Sequence, residues 1–264
     1  GYALVDADWS HALAIPFMSL WFVWQQRDRL HEAKVRTAWW ALPILVLGMA
    51  GYLLSIMPVR NDMLQGYFMV FNVFALCLFL LGPGVMRWIW FPIFYLVFAV
   101  KVSASVWNMV TFKLQEIAAI GATFMLNVIG LVVDMRAQLT GTNIHLWIAG
   151  EQLENALNVA EACSGIRSLM MFVALGCAVA WLGTRPWWAR IIIVGSTIPV
   201  ALFANMVRVT TLGVLHPIDP ELARGDSHIF IGMAALLIVA LVMFVLIGWI
   251  LNRVVITEPA DAKK

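Results

Sequence analysis

Residues 158 to 169, "NVAEACSGIRSL", set a cysteine, a serine, a glycine and an arginine where a polar stretch gives way to a long apolar run. Cys163 is the thiol there, and Arg167 stands one helical turn further on. Two more groups of matching chemistry follow, Arg208 in "LFANMVRVTTLGVLHP" and His228 in "RGDSHIFIGM". A thiol, a guanidinium and an imidazole together suit nucleophilic attack on a carbonyl. A thiol is mostly protonated at neutral pH, and a helix N-terminus with neighbouring positive groups raises its thiolate fraction. The imidazole can act first as base and then as acid to the leaving amine. The guanidinium can hold the developing oxyanion where water is excluded.

Each residue also has a plainer reading. Cys163 could be packing, Arg208 could snorkel to the interface, and His228 could simply end a helix. Asn205 lies one turn before Arg208 and either orients its guanidinium or makes an interhelical hydrogen bond. Arg167 is a rival for the arginine role. Ser164 is a helix cap or, in a different reading, a serine nucleophile. Cys77 and Cys177 fall inside apolar runs and read as small buried hydrophobes. "HPIDPELARGDSH" offers His216, Asp219, Asp226 and His228, but there is no HExxH helix and the spacing follows no common zinc pattern. No metal or other cofactor is expected.

The elements that position these groups are membrane helices. Of the 264 residues 62% are hydrophobic and only 12% charged, about half the charged share of a soluble domain. The formal net charge of +2, with no phosphate loop, dinucleotide fingerprint or long basic run, argues against nucleic acid. At roughly 20 residues per crossing, the apolar runs read as about seven spans, near 10–24 (short), 38–57, 65–82, 84–100, 165–183, 187–213 and 228–252. The fold class expected is an all-α polytopic membrane protein. The chain begins with Gly1, so a natural start upstream is expected to be missing.

Lys and Arg gather in cytoplasmic loops. "QQRDRLHEAKVR" and "GTRPWWAR" are therefore placed inside, and counting from either puts the start of the Cys163 span outside. Residues 102–162 must then cross an even number of times. The preferred number is zero, with "LQEIAAIGATFMLNVIGLVVDM" lying in the interface or dipping in, although its apolar run from Ile117 to Val133 is long enough for two crossings. Just before Cys163, "NIHLWIAG" and "NALNVA" alternate as a small extracytoplasmic β-hairpin turning around "GEQLEN", whose edge could accept an extended peptide.

With these pieces in order, "WSHALAIPFMSLWFVWQQRDRL", "EACSGIRSL", "ANMVRV" and "HIFIG", the chain resembles the exosortase and archaeosortase family of polytopic membrane cysteine transpeptidases. The resemblance covers nearly the whole chain. It implies a catalytic set of Cys163, Arg208 and His228, one transmembrane domain over 1–252 and a short cytoplasmic tail over 253–264. It also implies location in the cell (inner) membrane with the site on the outer side. Its substrates would be proteins with a C-terminal sorting signal of short motif, transmembrane helix and basic tail, of which PEP-CTERM is the best-known type. Cleavage would occur near the motif, with transfer to a lipid or polysaccharide acceptor. "SHA" stands where the family usually has "SHG", and no additional soluble domain of the kind fused to some relatives follows the last helix, which leaves the sorting motif undecided. The rival from another class is a transporter or envelope assembly scaffold without catalysis, which would tolerate loss of Cys163.

Overall fold

The computed structural model describes residues 12–153, 156–159, 165–183, 186–217 and 225–256. The chain divides into two compact units, Gly1–Trp107 and Asn108–Lys264.

In the first unit, α1 (Ala14–Gln25) and the short α2 (Arg27–Glu32) precede a 3-10 turn, Trp39–Ala41, and α3 (Leu42–Ile56). The described part of the first expected span, the 12-residue α1, extends only about 18 Å. It docks on its neighbours: Ser19 Oγ donates to the Pro92 carbonyl at 2.7 Å, and the buried Phe22 ring meets Phe91 and Tyr95 at 5.7 and 5.1 Å.

Helix α4 (Asp62–Tyr95) contains a reversal at Gly82, where φ is 76° and ψ 174°. That conformation is essentially restricted to glycine, and a side chain at Gly82 would strike the Arg36 carbonyl. Pro83 then opens the second arm, where its missing N–H costs no hydrogen bond. The first arm's terminal carbonyls would be orphaned at such a break. Phe79 instead accepts from the Ala38 N–H at 2.8 Å and Leu81 from Arg36 at 3.3 Å. A 3-10 turn, Leu96–Ala99, extends the second arm. Gly66 packs against Val100, so the two arms run antiparallel. They correspond to the expected pair 65–82 and 84–100, with the turn between them at the anticipated place.

The boundary between the units falls within α5 (Ala104–Val133), whose residues from Asn108 on open the second unit; it is one continuous helix of 30 residues, or about 45 Å. An interfacial segment was expected here, whereas by length and composition α5 is long and apolar enough for a single crossing. A single crossing would not fit the even number the two basic loops require. Lys113 Nζ lies 2.9 Å from Glu116 Oε2 on the helix surface, and such a pair on one face supports a helix.

Among the described residues the helical stretches long and apolar enough to cross a membrane are Trp39–Ile56, Asp62–Ala99, Ala104–Val133 and Trp187–Leu215, with Leu169–Leu182 and Leu237–Leu251 as shorter ones. Many of their large apolar side chains face outward, among them Leu131 and Val132, each 87% exposed. Such surfaces suit lipid and would be a liability in water.

A small sheet follows α5: β1 (Met135–Thr140), β2 (Asn143–Ile148), β3 (Glu151–Gln152) and β4 (Leu157–Asn158). All pairings are antiparallel. Strand β2 takes β1 on one side and both β3 and β4 on the other. The expected pairing of the two alternating stretches is present, with Ile144 opposite Leu157. The first turn falls at Ala149–Gly150, where both residues have positive φ, earlier than "GEQLEN" suggested. Strand β1 was not anticipated. Its alternation and the two-residue loop Gly141–Thr142, with Gly141 at φ 65°, are the hairpin signals that reveal it in hindsight. Asn127 of α5 fixes β1 by donating to the Ala137 carbonyl and accepting from its N–H, both at 2.9 Å.

Three helices complete the unit: α6 (Gly165–Leu182), α7 (Trp187–Leu215) and α8 (Gly225–Ile256). One core joins Ala118, Ala122 and Leu126 of α5, Ile144, Leu146, Leu157 and Val159 from the sheet segment, and Val209 and Leu212 of α7. Close approach of α5 to α7 depends on small residues, since a side chain at Gly121 would strike Met206 and one at Gly213 would meet Leu126.

Candidate functional site

Arg208 lies seven residues before the end of α7, roughly 10 Å in at 1.5 Å per residue. It is 8% exposed, and its Nε finds no hydrogen-bond partner among the described residues. Asn205, one turn earlier, is 3% exposed, and its Oδ1 likewise has no partner among the described residues. The sheet covers this end of α7, because Val209 and Leu212 belong to the core that holds β2 and β4. His216, just past α7, is also buried, and its N–H donates to the Leu212 carbonyl at 2.9 Å. The sequence had weighed His216 only as a metal donor.

Helix register relates the start of α6 and the first turn of α8 to the level of Arg208. A side chain at Gly176 of α6 would strike Thr197 of α7. Towards one end Phe172 packs with Val200, Ala201 and Ala204, and towards the other Ala180 packs with Ala189 and Ile193. Helices α6 and α7 are therefore antiparallel. Gly165, the first residue of α6, stands as many residues before Gly176 as Arg208 stands after Thr197, which sets the start of α6 level with Arg208. Cys163 and Ser164 immediately precede that start and lie outside the described residues.

Helix α8 packs against both. Ile247 and Leu251 join Ala189 and Ile193, Val239 and Met243 pack on the cluster of Val200 and Ala204, and the Phe172 and Phe244 rings are 6.5 Å apart. Continued to its first turn, this antiparallel register sets His228 level with Leu212, one turn outward of Arg208. The backbone of His228 and of Arg167 is helical; their side chains lie outside the described residues. Thus the start of α6, the arginine turn of α7 and the first turn of α8 lie towards one end of the unit, where the sheet packs on α7.

A family model described as transmembrane exosortase (Exosortase_EpsH) matches residues 4–245. The chain belongs to the transmembrane exosortase family. No curated protein and no solved structure matches it.

The exosortase chain also contains an apolar cavity of about 580 Å³ between α5 and α7, lined by Phe124, Val128, Phe203, Val207, Thr211 and Val214 among others. Neither Arg208 nor Asn205 lines it. A second cavity of about 330 Å³ lies among α6, α7 and α8, bounded by Phe172, Ile193, Leu241 and Phe244. It too is apolar and lies deeper than the arginine turn. Both cavities of this exosortase therefore lie apart from the buried polar side chains of Arg208 and Asn205. Sequence spacing had brought the three helix ends to one face but did not place the β-sheet against α7. Nor did it show that Arg208 is buried.

Proposed function

We propose that this exosortase is a membrane cysteine peptidase or transpeptidase that cleaves C-terminal sorting signals of exported proteins on the outer face of the cell membrane. The signal is a short motif, a transmembrane helix and a basic tail, and the new carboxyl end passes to an envelope acceptor, a lipid or polysaccharide. The supporting observation is the buried Arg208 with an Nε donor that has no partner among the described residues, level with the start of α6 and one turn from the level of His228 in α8. An arginine that merely snorkelled would carry its charge to water.

In this reading the Cys163 thiolate attacks the scissile carbonyl carbon, a C–S bond forms, and the carbonyl oxygen takes the negative charge. Arg208 donates hydrogen bonds to that oxyanion in a site screened from water, where such donors count most. The intermediate collapses with breakage of the C–N bond, and the leaving amine takes a proton from His228. The acceptor's nucleophile then attacks the thioester as His228 takes its proton, and the thiolate departs. The helix N-terminus that follows Cys163 and the nearby guanidinium favour the thiolate.

Replacing Cys163 with Ala should leave the protein inserted at normal abundance while a tail protein from the same cell accumulates uncleaved. Mass spectrometry of that protein's mature C-terminus is the readout. Normal processing by Cys163→Ala would rule out thiol catalysis, and loss of processing only with Ser164→Ala would favour a serine nucleophile.

A further inference from the structure

Resting on the cysteine-peptidase reading, we infer that Asn205 is a positioning residue for Arg208: its Oδ1 accepts the Nε–H of the guanidinium when substrate is engaged, leaving the outer nitrogens to face the oxyanion.

The other polar side chains along this part of α7 are satisfied within the helix. Ser196 and Thr197 donate to the carbonyls of Ile193 and Val194 at 2.8 and 2.6 Å. Thr210 and Thr211 donate to those of Met206 and Val207 at 2.8 and 2.9 Å. Asn205 and Arg208 differ. Each is more than nine-tenths buried, and the amide oxygen of one and the Nε of the other have no partner among the described residues. A buried polar atom left unpaired costs stability, so the pair is held against the local interest of the helix.

The two unmet needs are complementary, one acceptor and one donor. Residues three apart on a helix are surface neighbours, with Cβ atoms about 5–6 Å apart. Side-chain rotation alone can join them. A guanidinium is planar, and fixing its Nε edge fixes the plane in which the remaining nitrogens lie. A neutral amide does this without cancelling the positive charge that the oxyanion requires.

The test uses the full-length protein in lipid vesicles with a tripartite-tail protein from the same cell. Asn205→Leu keeps the volume and removes the acceptor. It should lower the cleavage rate at saturating substrate by about 10- to 100-fold, the order of losing an oxyanion donor or somewhat less, with the half-saturating concentration changed less than twofold. Its unfolding temperature should equal or exceed the parent's, because no hydrogen bond of the resting protein is lost. Asn205→Asp retains an acceptor and should lie between parent and Leu. Parental cleavage by Asn205→Leu overturns the inference. A slow Leu variant with an equally lowered unfolding temperature, or an Asp variant no faster than Leu, also overturns it, since packing or the amide N–H would then be responsible. Cys163→Ala in the same assay separates the two levels: cleavage by that variant defeats the cysteine reading itself, whatever Asn205 does.

Discussion

At Arg208 the geometry of the side chain should matter as much as its charge. Both lysine and arginine can carry a charge to the interface, so Arg208→Lys should insert normally if depth is all that counts. Only the planar fork presents two donors at once to one oxygen. Arg208→Lys should therefore fail almost as badly as Arg208→Ala, with cleavage falling about 10² to 10³-fold. Abundance must be measured in the same cells. Near-parental cleavage by Arg208→Lys would defeat the oxyanion role, and a severe defect confined to Arg167→Lys would transfer that role to Arg167.

Among the elements, the reversal within α4 makes the sharpest demand on a single residue. Gly82 combines a conformation closed to other residues with contact against the Arg36 carbonyl. Gly82→Ala should destabilise the first unit by about 1–3 kcal/mol from backbone strain alone, with a further cost from displacing Arg36. Thermal unfolding in detergent measures this, and a variant as stable as the parent would mean that the backbone relaxes at no cost. Arginine–tryptophan contacts collect at the same end of the unit, Arg27 over Trp24 at 4.4 Å and both Arg29 and Arg87 over Trp88 at 4.7 and 4.9 Å. Amphipathic rings beside cations are typical of a membrane interface.

For the molecule as a whole, the second unit has its own polarity. Arg190, whose Nη2 donates to the Gly183 carbonyl at 3.0 Å, and Arg253, over Trp249 at 4.9 Å, lie at the end opposite the sheet. Positive charge in short loops faces the cytoplasm, so the sheet end should face out. In a variant without native thiols, Asn143→Cys should react with a membrane-impermeant maleimide in intact cells. Trp187→Cys should react only after the membrane is opened. The reverse pattern would invert the unit and place the site inside.

Composition and periodicity were enough to identify a helical membrane protein, the two arms around Gly82 and the alternation of Ile144 and Leu146, because lipid and a one-sided core impose patterns that a linear scan detects. They also brought the three helix ends to one side, since loop charge and span counting are one-dimensional. What only the tertiary structure decided involves partners distant in sequence. Strand β1 is recognised with confidence only beside β2 and Asn127. The condition of Asn205 and Arg208, buried with an unpaired acceptor and an unpaired donor, depends on α5, the sheet and the neighbouring helices closing around one turn of α7. Hydropathy can place a charge at a depth, but whether water or protein meets it there is a property of the packing.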